Sequence, residues 1–115
     1  MADYRFIRTV TDLFKSRVAI YGPVPADFDA DSMPPPQLLD FKFAGGTAAT
    51  ADVIAGSKYL ATVNLVGAIG ASLKLEGKFT GELPKEIGTA KIPADATKPT
   101  GATHYSHATT ILFTA

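Results

Sequence analysis

A two-residue period sustained between Lys58 and Phe79 constrains this chain more than any other feature. In KYLATVNL, Tyr59, Ala61, Val63 and Leu65 fall on one face, with Thr62 and Asn64 on the other. ASLKLEGKF repeats the pattern, setting Leu73, Leu75 and Phe79 against Ser72, Lys74, Glu76 and Lys78. Successive side chains of an extended strand point to opposite faces, so this alternation marks half-buried strands and excludes an amphipathic helix. With Gly67-Ala68-Ile69-Gly70 as the link, the two runs predict a β-hairpin over residues 58–79.

Other segments extend the β reading. Leu39, Phe41 and Phe43 alternate with Asp40 and Lys42 before Gly45-Gly46, which predicts a strand that stops at the glycines. The C-terminal HATTILFTA is rich in β-branched residues and contains no breaker, so it predicts a last strand. SRVAIYG, residues 16–22, has the flat apolar character of a buried strand ended by Gly22-Pro23. Residues 1–15 allow an extended arm carrying Tyr4, Phe6 and Ile7, or a short helix in which Val10, Leu13 and Phe14 follow a Thr9 or Thr11 cap. A chain of 115 residues suits one core. The expected fold is a single all-β domain, a small jelly roll or a β-sandwich or barrel, with an N-terminal arm and a Pro-rich loop.

That loop runs from Gly22 to Pro36. It holds Pro23, Pro25, Pro34, Pro35 and Pro36, each of which removes a backbone donor and fixes φ, so no helix or central strand continues through it. At full extension such a segment reaches about 50 Å, and its Pro-Pro-Pro end favours a stiff polyproline geometry. The expectation is a strap able to lie across a neighbouring subunit. Its Asp27, Asp29 and Asp31, with Asp40 beyond, contrast with Arg5, Arg8, Lys15 and Arg17 near the N-terminus, which suits docking on a basic surface.

Composition removes several function classes. Eleven basic residues balance eleven acidic ones, a net charge of zero that gives no electrostatic footprint for nucleic acid. Cysteine is absent, which removes disulfides, thiolate metal sites and a cysteine nucleophile. The first residues are charged where a signal peptide needs its apolar region, and the run from Leu65 to Leu73 is too short to cross a bilayer as a helix. No membrane partner is expected.

If Asp27 opens a calcium loop, Ser32 stands at the turn-glycine position and Leu38 at the closing glutamate, so that grammar fails and a solvated acidic loop remains. His104 and His107 are three apart, which on a strand turns their rings to opposite faces. No nucleophile-elbow pattern surrounds a serine, and Ser106 brings no oriented base or oxyanion donors. Glu76, Glu82 and Glu86 read as solubilising surface, and the glycines match no phosphate loop. The reading is a non-enzyme with no catalytic residues, metal or cofactor. Its candidate partner-binding residues are Tyr4, Phe6, Tyr21, Pro23, Phe28, Pro34, Pro35, Pro36, Leu83 and Pro84, because aromatic and stiff apolar residues on arms and loops anchor protein contacts.

GASLKLEGKFTGELPKEIGTAKIPADATKPTG resembles the small decoration, or cement, proteins of tailed bacteriophage capsids. Gly77, Phe79, Leu83, Pro84, Lys85, Gly88, Thr89 and Ala90 carry the likeness, over residues 70–101. The resemblance implies a structural virion protein made in the host cytoplasm. It would sit outside the shell, bind the major capsid protein and bridge coat subunits, with dimers or trimers covering open sheet edges. A head–tail joining or tail protein is the alternative within the virion. A β-sandwich carbohydrate-binding module is the alternative outside it, though the chain has no Trp for a binding platform.

Overall fold

The computed structural model describes residues 2–24, 48–98 and 101–115, together with the backbone of 37–41. Among the described residues six strands run in chain order: β1 (Ala2–Val24), β2 (Gln37–Phe41), β3 (Ala48–Val53), β4 (Lys58–Phe79), β5 (Lys85–Lys91) and β6 (Tyr105–Thr114). Every pairing between them is antiparallel.

Two long strands, β1 and β4, organise the rest. They pair along nearly their whole length, but the register jumps from Thr11 opposite Ser72 to Leu13 opposite Gly67, leaving residues 68–71 with only Asp12 across from them. Such an excess on one strand bends the ladder sharply. Asp12 takes a left-handed φ of 58°, a conformation that aspartate tolerates better than most side chains. Gly67 allows the close approach, since a Cβ there would lie 3.0 Å from the Asp12 carbonyl oxygen.

The bend divides each long strand into two arms and the sheet into two layers. One layer holds β3, the 2–11 arm of β1, the 72–79 arm of β4, and β5. The other holds β2, the 15–24 arm of β1, the 58–67 arm of β4, and β6. They fold face to face, with the Phe6 and Phe113 ring centroids 5.9 Å apart. Gly88 of β5 abuts the Ile111 side chain of β6. The protein is an all-β sandwich.

The alternation seen in the sequence becomes the core. Phe6, Val18, Ile20, Val63, Leu65, Leu73 and Leu75 are wholly buried between the layers, and each such side chain contributes about 1.5–3 kcal/mol relative to exposure. The Tyr59 hydroxyl accepts the Ile54 N–H at 2.9 Å, so its polar end is satisfied where β3 turns into β4. Arg8 is also buried, and it donates to the Ser16 carbonyl at 3.3 Å. Arg8 precedes the bend and Ser16 follows it, so the guanidinium ties one layer to the other.

Three expectations are corrected. Residues 58–79 form one bent strand rather than a hairpin, and each arm pairs with an arm of β1 instead of with the other. The expected helix or free arm over residues 1–15 is not formed by residues 2–15. Residues 2–15 belong to β1, whose apolar positions are claimed by ladders on both sides. Gly22-Pro23 does not end the preceding strand. β1 runs on to Val24, and the register skips from Tyr21 to Val24, so the missing proline donor leaves no ladder bond unmade. Gly22, Pro23 and Val24 are therefore strand, and the rest of the expected strap, 25–36, lies outside the described residues, as do Phe43 and Gly45-Gly46. The predicted strand at 39–43 and the C-terminal strand appear as β2 and β6.

Candidate docking surfaces

The structure separates the ten candidate contact residues. Tyr4 and Phe6 are corrected from partner anchors to core residues, because they pack edge to face at 4.9 Å beneath the second layer, and Tyr4 also meets Phe79 at 4.8 Å. Gly77 exists for this packing: a Cβ there would collide with the Tyr4 ring. Burial raises the Tyr4 hydroxyl pKa above its ordinary value, and the nearby Glu82 charge adds to the shift. Tyr21 is half-buried, and Pro23 and Pro84 are exposed. Phe28, Pro34, Pro35 and Pro36 lie outside the described residues.

Leu83 is 87% exposed, at the tip of the turn joining β4 to β5. The Glu82 N–H donates to the Phe79 carbonyl at 3.1 Å, Gly81 supplies a φ of 85°, and Pro84 fixes the exit. A stiff turn therefore presents an aliphatic side chain to solvent at the open end of the sandwich, where both ends of β4 meet.

At the opposite end the bend exposes Val10, Phe14 and Ile69. Phe14 stacks on the His104 ring at 4.5 Å, and the Lys15 ammonium lies 5.3 Å from the Phe14 centroid. Each arm is about ten residues long, which places the two apolar ends roughly 30 Å apart. The spacing that suggested a helix over Val10, Leu13 and Phe14 hid this end, and Ile69 looked like part of a tight turn. An uninterrupted count of apolar residues at the Gly67–Gly70 link was the one available signal.

The flanks differ in charge. The first layer turns Asp3, Arg5, Lys74, Glu76 and Lys78 outward, with Lys74 and Glu76 3.8 Å apart, and its edge strand β5 carries Lys85, Glu86 and Lys91. Asp3 stands directly opposite Asp52 of β3. A hydrogen bond to Asp52 and its charge raise the Asp3 pKa above the usual carboxylate range. The second layer is almost neutral outside: from Leu60 to Val66 on β4, and from Ser106 to Thr114 on the outward positions of β6, no charge appears. Lys15 and Arg17 of β1, opposite Val66 and Asn64, and Lys58 of β4 flank this area among the described side chains.

Among the described residues the polar side chains form scattered local contacts. His104 bonds Thr103 at 3.0 Å and stacks on Phe14, while His107 belongs to β6. Glu86 accepts from the Thr89 hydroxyl at 3.0 Å. Among the described residues no group of three His, Cys, Asp or Glu is placed to hold a metal ion. A cleft of about 540 Å³ opens between the β5 and β6 edges, walled by Phe79, Ile87 and Leu112 and rimmed by Lys85 and Glu82. Its charges are of both signs.

Set against family models, curated proteins and solved structures, the chain matches none of them.

Proposed function

We propose that this protein is a non-enzymatic structural module that bridges two neighbouring surfaces, and that those surfaces are coat subunits on the outside of a bacteriophage shell. The observation that carries the bridging is the placement of exposed apolar side chains at both ends of one sandwich, Leu83 on its turn and Val10, Phe14 and Ile69 on the bend. Exposed apolar residues gathered on a stiff frame mark contact sites, and a frame that is ordered beforehand loses less entropy on docking. The shell as the partner rests on the sequence resemblance across residues 70–101.

Sedimentation of the purified protein with empty shells of tailed bacteriophages tests this reading. The expected result is co-sedimentation at a fixed copy number per shell, lost in Leu83→Asp and in Phe14→Asp, both of which alter exposed positions. A protein that stays in the supernatant with every shell, or variants that pellet like the parent, would overturn it.

A further inference from the structure

The two sheet edges on the cleft side are finished differently. β5 ends the first layer with Lys85, Glu86 and Lys91 and with a register break between Leu75 and Glu76 in its ladder. Charge and bulges of this kind stop an edge from pairing with another strand. β6 ends the second layer with neither device. Its ladder to β4 runs through ten consecutive pairs without a break, and Ala108 to Thr114, ATTILFT, contains no charge and no proline.

The direction of the backbone groups on β6 follows from its two ends. The Ala115 N–H donates to the Ser57 carbonyl at 2.9 Å, so Phe113, Ile111 and Thr109 also turn their N–H and C=O toward β4. Ser106 has the opposite parity and donates outward, to the Thr97 carbonyl at 2.8 Å. Ala108, Thr110 and Leu112 share the parity of Ser106. Past the Thr97 bridge, their outward backbone groups meet no partner among the described residues. All three residues are exposed, Leu112 by 52%.

We infer that the outer edge of β6 pairs antiparallel with β6 of a second copy of this chain, joining the two neutral layers into one eight-stranded sheet. The segment suits a copy of itself because a two-fold pairing sets residues of one stretch against each other, and an uncharged stretch meets no like-charge repulsion in any register. Leu112 and the neutral outward face of β4 continue the contact beside the edge. Charged β5 lies outside it.

Sedimentation equilibrium over a concentration series tests the pairing. The parent chain is expected to dimerise. Thr110→Pro removes an outward donor without touching the β4 ladder, and both copies lose the bond, so the dimer should weaken by roughly tenfold or more. Thr110→Lys places like charges close together at the joint and should act in the same direction, which keeps the test usable if the proline variant misfolds. Thr89→Lys, on the β5 edge, should leave the association unchanged. A parent that stays monomeric throughout, Thr110 variants that associate like the parent, or a Thr89→Lys variant weakened to the same degree would each overturn the proposal.

Discussion

Along β4, the arm in the layer with β3 and β5 turns Lys74, Glu76 and Lys78 to solvent, whereas the arm in the layer with β2 and β6 offers Leu60, Thr62, Asn64 and Val66, with Lys15 and Arg17 beside them on β1. Both arms of β4 bury the same kind of residue inward, Val63 and Leu65 on one side of the bend and Leu73 and Leu75 on the other. Inward positions answer to the shared core. Outward positions answer to what each face meets, and the difference between them separates a solvated flank from one suited to contact.

The strongest way to break this comparison is to show that the layers are not one core. Leu65→Ala and Leu73→Ala empty equivalent wholly buried sites in the two layers, and each should cost about 2–5 kcal/mol. Denaturant unfolding should stay a single transition in both, with closely similar slopes. Two separate transitions would mean that the layers unfold independently.

Next in size is the tie across the bend. Arg8→Ala removes a buried charged donor to the Ser16 carbonyl and should cost about 1.5–3 kcal/mol, whereas Arg5→Ala, three residues earlier on the outer face, should stay within about 0.5 kcal/mol. Thermal melts of the pair measure the contrast directly. Equal losses would show that Arg8 contributes no more than a surface charge.

Much of the sandwich was legible in the sequence, because a period of two states which residues face inward whatever the pairing. Tyr59 to Leu65, Leu73 and Leu75 followed from that rule, and the strand at residues 16–22 from its continuous apolar character. Which strands pair did not, since the Gly67–Gly70 link satisfies a hairpin turn as well as a bend. The partner is β1, a strand 23 residues long, distant in sequence from β4, whose two arms pair with the two arms of β4. Tyr4 and Phe6 looked exposed because a terminal arm was assumed; in place they sit under a paired strand on either side. Leu83 stands exposed on a turn that Gly81 and Pro84 already mark in the sequence, while the apolar bend end needed the fold to bring Val10, Phe14 and Ile69 to one place.

The smallest effect sharpens the charged side of the comparison. The folded-state pKa of Asp3 is raised by Asp52, so the proton is bound more tightly in the folded chain than in the unfolded one. Stability from this pair is therefore fully present below the ordinary aspartate pKa and declines as pH rises through the raised value. Asp3→Asn removes the repulsion, and its melting temperature should exceed the parent's at neutral pH, with the gap closing on acidification past the carboxylate range. A gap that widens in acid would reverse the sign assigned here.

Amide hydrogen exchange along β6, followed residue by residue as protein concentration rises, tests the claim that the neutral layer is the contact side. The N–H groups of Thr109, Ile111 and Phe113 face β4 and should be protected at every concentration. Those of Ala108, Thr110 and Leu112 should exchange rapidly in dilute solution and become protected as the chains pair. If they stay rapid at concentrations where the other three are fully protected, the edge is free and the account of the neutral layer is contradicted.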